Sequence, residues 1–77
     1  MSAEKSIERM IRRDMVLAIL RIVEEFGSDY QRNVFHFCYL APGNARELER
    51  LSRSEELYED LVGWFKDNLL KEEAIND

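Results

Sequence analysis

Cysteine, proline and glycine are scarce in this chain, with one Cys, one Pro and three Gly among 77 residues. Because Cys38 stands alone, no disulfide can form within the chain, and no Cys/His array has zinc spacing. Stability must then come from a good hydrophobic core or from self-association, since a chain this short buries only roughly 60% of the surface its unfolded form exposes. A lone thiol fits a reducing, cytosolic setting. Long apolar runs are missing as well. The longest, Met15 to Val23, is broken by Arg21 and falls far below the ~20 residues that span a bilayer. No apolar segment follows the first five residues as a secretion signal would require, so neither export nor membrane insertion is expected. The one histidine, His36, has no second histidine to complete a metal site, and no Gly-rich phosphate loop or nucleophile elbow occurs.

Basic residues are also in deficit. Eleven Lys and Arg face sixteen Asp and Glu, for a net charge of −5, which argues against a general nucleic-acid binder because affinity for phosphate backbones comes largely from clustered cations. The deficit is uneven. Residues 1 to 23 carry Lys5, Arg9, Arg12, Arg13 and Arg21 against Glu4, Glu8 and Asp14, whereas residues 44 to 77 carry ten acids against five bases. The two ends are expected to attract each other.

What is present is a folded composition, 45% hydrophobic and 35% charged, too apolar for intrinsic disorder. The fold class expected is all-α, one domain over residues 1–77, built as a small bundle of three or four helices and completed by homodimerisation. Helix stop signals set the divisions. The first helix is expected over about 4–26, with Gly27 as a left-handed residue closing it. Ser28-Asp29-Tyr30-Gln31 has the form of a capping box and opens a second helix over 29–40, which Pro42-Gly43 ends. Asn44 to Glu47 supplies the next cap. A third helix follows over 44–53 and a fourth over 54–73, capped through Ser52 or Ser54, unless the two form one rod. An alternative stays open for residues 34–40, whose aromatic run Val34-Phe35-His36-Phe37-Cys38-Tyr39-Leu40 would also suit a buried strand.

Periodicity shows which helices are surrounded. In the first half of helix one, Ile7, Met10, Ile11 and Ala18 share a face opposite Arg9, Arg12 and Arg13. In its second half, Met15 to Phe26, apolar residues cover the full circumference except the Arg21 edge, so that segment must be covered on nearly all sides. Helix two is apolar over most of its circle, with Arg32, Asn33 and His36 as a polar strip. Helix four carries a wide arc of Leu57, Tyr58, Leu61, Val62, Trp64, Phe65 and Leu69, which implies packing on two neighbours. This much apolar surface exceeds what a 77-residue monomer can enclose, and a homodimer sharing one core is the simplest solution.

Candidate chemistry is thin. On a helix His36 and Cys38 point roughly 200° apart and cannot share a metal or a proton. Cys38 is therefore taken as a small core residue and His36 as a partly exposed polar one. Glu55, Glu56, Glu59 and Asp60 lack the Glu-x-x-His pattern of di-metal bundles and are read as a solvated face near a helix N-terminus. Asp14 is the odd residue, set on the apolar face between Met10, Ile11 and Ala18. It is either a polar register device at an interface or an ordinary Asp at the rim of the core. Arg46, Arg50 and Arg53 recur along helix three after the Pro-Gly turn, as a helix-turn-helix would require, but Glu47 and Glu49 dilute the stripe.

No catalytic group, cofactor or metal is expected. The sequence is best read as a non-enzymatic cytoplasmic protein-interaction module, an adaptor, chaperone-like or regulatory factor, whose partners are itself and another protein. Leu17, Leu20, Phe37, Tyr39, Leu57 and Trp64 are the candidate partner or dimer surface, on the apolar run of helix one and the aromatic anchors that such surfaces are enriched in. The alternative is a small DNA-binding regulator using Arg46, Arg50 and Arg53, with Arg9, Arg12 and Arg13 on the phosphate backbone.

Overall fold

The computed structural model describes residues 2–41 and 43–70. Among them every regular element is helical: α1 Ser2–Phe26, α2 Asp29–Cys38, α3 Ala45–Arg53 and α4 Glu55–Phe65, the last continued by a wider π-helical segment, Lys66–Leu70. The aromatic run at 34–40 is therefore not a strand. Its capping box outweighs the β-propensity of its aromatic residues: the Ser28 hydroxyl accepts from the Gln31 N–H at 3.1 Å, and Gln31 Oε1 accepts from the Ser28 N–H at 2.9 Å. The expected end of helix four at residue 73 lies outside the described residues.

Helices α3 and α4 are two elements, not one rod. Ser54 adopts an extended conformation, its N–H closing α3 on the Arg50 carbonyl and its hydroxyl accepting from the Leu57 N–H to open α4. Serine competes with the backbone for such bonds, which is why it breaks rods at this kind of position. Asn44 opens α3 in the same way, accepting from the Glu47 N–H, after a turn in which Gly43 holds φ +79.

Gly27 ends α1 by a different route from the left-handed closure expected of it, since Gly43 is the only described residue with positive φ. At Gly27 the constraint is space. Its N–H donates to the Val23 carbonyl at 2.9 Å, and a Cβ there would sit 2.6 Å from that same oxygen.

The core is a single cluster drawn from all four helices: Val16, Ile19 and Val23 of α1, Phe35 of α2, Leu40, Leu48 and Leu51 of α3 and its approach, and Leu61 and Phe65 of α4. Helix α1 packs chiefly on α3, and α4 lies against both. All seven residues of the α4 arc are buried or packed against this cluster. The buried line of α1 runs at i, i+3 and i+7, with Arg12 one turn before Val16 on the same face. Arg12 reaches inward, its Nε donating to the Ser52 carbonyl at 2.9 Å. That carbonyl lies in the last turn of α3, where a cation both satisfies an oxygen without an intrahelical partner and complements the helix dipole. Arg13 adds an ion pair to Glu49 at 3.9 Å, so the basic N-terminal half of α1 does meet the acidic half of the chain.

Candidate protein-interaction surface

Turning α1 to place Arg12, Val16, Ile19 and Val23 inward leaves its opposite side to solvent. That exposed surface carries Asp14, Arg21 and Glu25 opposite the buried line and a largely apolar strip beside them. Ile7, Met10 (61% exposed), Ile11 (57%), Met15, Ile22 and Phe26 (73%) all stand in water. Ile11, Met15, Ala18, Ile22 and Phe26 recur at steps of three or four residues and make a stripe roughly 22 Å long at ~1.5 Å per residue. The face shared by Ile7, Met10, Ile11 and Ala18 in the sequence is thus the outer one, and Arg12, on the polar side of that pattern, faces the core. The second half of α1 is likewise apolar all round, but the described residues cover only part of it.

Asp14 and Arg21 lie on one flank of the stripe. Both are exposed, and neither forms an ion pair or hydrogen bond among the described residues. With Leu17, Ala18 and Leu20 they line a shallow depression of about 370 Å³. Asp14 therefore sits on the side of α1 away from the core, not at the core's rim.

Helix α2 contributes a second exposed patch. Phe37 is 91% exposed and Tyr30, seven residues earlier on the same face, is also exposed. Cys38 is exposed too, contrary to its expected place in the core, because Phe35 alone of α2 points into the cluster and the helix is too short to bury a second line. His36 is half-buried, with its Nε2 against the Glu24 carboxylate.

The six residues expected to form a partner surface do not come together. Phe37 is fully outside, whereas Tyr39 and Trp64 are half-buried and stack with Phe35, ring centroids 5.7 to 6.1 Å apart. The Tyr39 hydroxyl donates to Asp60 Oδ2 at 2.6 Å, and burial, followed by this bond to an acceptor carboxylate, raises the pKa of the phenol. Leu57 is half-buried against the core. Leu17 and Leu20 line a small groove of about 200 Å³ with Leu40, Ala41 and Leu48. The residues the sequence pattern did not single out are Met15, Ile22 and Phe26 as an outward line. The signal available was the line Arg12-Val16-Ile19-Val23, whose arginine marks the inner face only once its carbonyl partner is known.

On α3, Arg46, Arg50 and Arg53 border a broad open depression of about 640 Å³ with Ala45, Glu49 and Ser54. Arg50 pairs with Glu47, and Arg53 approaches Glu49 at 3.6 Å. Arg46 makes no ion pair among the described residues. Among those residues no group of three or more His, Cys, Asp or Glu side chains is placed to hold a metal ion, and no helix is long and apolar enough to cross a membrane.

No protein-family model matches this chain, and neither a curated protein nor a solved structure matches it.

Proposed function

We propose that this chain is a non-enzymatic protein-interaction module that works as a helical homodimer and engages another protein through exposed apolar helix surface. The observation that supports this reading is the exposed surface of α1, where Ile7, Met10, Ile11, Met15, Leu17, Ile22 and Phe26 stand in solvent while Val16, Ile19 and Val23 are buried. Small proteins rarely expose contiguous apolar surface of this kind without a partner for it. The Phe37 and Tyr30 patch on α2 lies outside the α1 stripe and is the surface assigned here to a partner other than the chain itself.

Capture experiments test the second half of this reading. Phe37→Asp changes a side chain outside the core, so circular dichroism and self-association are expected to match the unmodified protein. Of the proteins captured by the unmodified chain from its source lysate and identified by mass, at least one is expected to be lost with Phe37→Asp. Identical capture by both chains counts against the patch. The competing reading, DNA binding through Arg46, Arg50 and Arg53, is weakened by the pairing of Arg50 and Arg53 with acids of their own helix. Salt-sensitive binding to duplex DNA that is lost on Arg50→Glu would restore it.

A further inference from the structure

We infer that the outer face of α1 is covered by the α1 of a second copy of this chain, antiparallel to it, in a register set by reciprocal Asp14–Arg21 pairs. This rests on the homodimer reading above and assigns its surface and geometry.

Three features select a second copy as the occupant. The first is self-complementarity. A twofold axis crossing α1 between Val16 and Leu17 brings Ile7 level with Phe26 of the second copy, Ile11 with Ile22, and Met15 with Ala18. Every member of the apolar line then meets another member, and the small Ala18 receives the long Met15 side chain. The second is charge. In an antiparallel twofold pair each flank of a helix faces the same flank of its counterpart. Asp14 and Arg21 share one flank, stand seven residues apart, or about 10 Å, too far to pair with each other, and make no other ion pair among the described residues. In this register Asp14 of each chain comes to about two residues from the level of Arg21 in the other, a gap of ~3 Å that an arginine spans. The depression between them, floored by Leu17 and Ala18, gives the guanidinium room. The third is area. The side chains of Ile7, Ile11, Met15, Ile22 and Phe26, all exposed in one chain, cover one another in the pair and make an interface at the small end of specific ones.

A parallel pair fits less well. There each flank faces the opposite flank of its counterpart, so the Asp14 and Arg21 side would lie against Met15 and Ile22. Two charges would then be desolvated without partners.

Charge reversal separates this register from other dimers. Asp14→Arg and Arg21→Asp alone each replace two attractions by two repulsions, and each is expected to raise the dimer dissociation constant on the order of tenfold or more at low salt. Mixing the two variants restores both pairs, so the mixture is expected to form a heterodimer at close to the unmodified affinity, as is the double variant with itself. Sedimentation equilibrium on each chain and on the mixture reads all of these. All substitutions lie at exposed positions of α1, and unchanged circular dichroism verifies the fold. A dimer that tolerates both single reversals, with no preference for the mixed pair, overturns the register while leaving the homodimer reading intact. An unmodified chain that stays monomeric at tens of micromolar overturns both.

Discussion

Two glycines in this chain show how different the demands on one residue type are. At Gly27 a Cβ would press to within 2.6 Å of the Val23 carbonyl oxygen, a backbone atom held in a helix that cannot give way cheaply. At Gly63, inside α4 and exposed, a Cβ would meet nothing within 4 Å. Opposite outcomes are expected from the same substitution. Gly27→Ala should destabilise by about 1–3 kcal/mol, the cost of backbone strain at a site that must keep its conformation. Gly63→Ala should stabilise by about 1 kcal/mol, because alanine loses less backbone freedom on entering a helix. Urea midpoints of the two variants against the unmodified chain decide the matter, and equal shifts of one sign would refute it. The sequence marked Gly27 as a stop without revealing which constraint operates there. A carbonyl contact and a positive φ leave the same residue in the same place.

At the scale of elements, the helices were legible because their caps are local. Ser28 with Gln31, Asn44 with the Glu47 N–H, and Ser54 with the Leu57 N–H each lie within four residues of chain. The orientation of α1 was not legible, because it depends on Arg12 finding the Ser52 carbonyl forty residues away. An arginine on a wheel diagram marks a polar face, whereas its long apolar stem and forked head suit it equally to cross a helix contact. The placement of Cys38 failed for a related reason: α2 is only ten residues long and buries one side chain, so most of its apolar surface has nothing above it. The end of α2 is tied to α4 by Tyr39 and Asp60, and this link has a pH signature. Burial first, and the carboxylate acceptor second, hold the Tyr39 phenol protonated above its ordinary range. The folded state thus binds this proton more tightly than the unfolded one, so the stabilisation is complete below about pH 10 and is lost as pH rises beyond it. Between pH 9 and pH 11 the unmodified chain should lose more stability in urea than Tyr39→Phe does. Equal losses would remove Tyr39 from the alkaline transition.

As a whole the molecule is long and thin, 44 × 28 × 18 Å, with a radius of gyration of 13.2 Å where a compact chain of this length would have about 11.5 Å. Its 18 Å thickness is that of roughly two helix layers, given a helix diameter near 10 Å. Three short helices on one side of α1 cannot wrap around it. The sequence made the excess of apolar surface visible, since α1 is hydrophobic around its circumference from Met15 to Phe26, but it did not say which side the chain itself covers. Two readings of Asp14 were open in the sequence, and its exposed position on the side of α1 away from the core, next to Arg21, which makes no ion pair among the described residues, rules out the rim of the core.

We propose that α1 has two working faces, an inner one that packs on the rest of this chain and an exposed one that holds a second copy. Because a dimer stabilises the folded state by mass action, the melting temperature tests it directly. For the unmodified protein it is expected to rise by several degrees as chain concentration increases a hundredfold. For Ile11→Glu, on the outer face, it is expected to stay constant across the same range. A melting temperature of the unmodified chain that does not change with concentration would contradict the account.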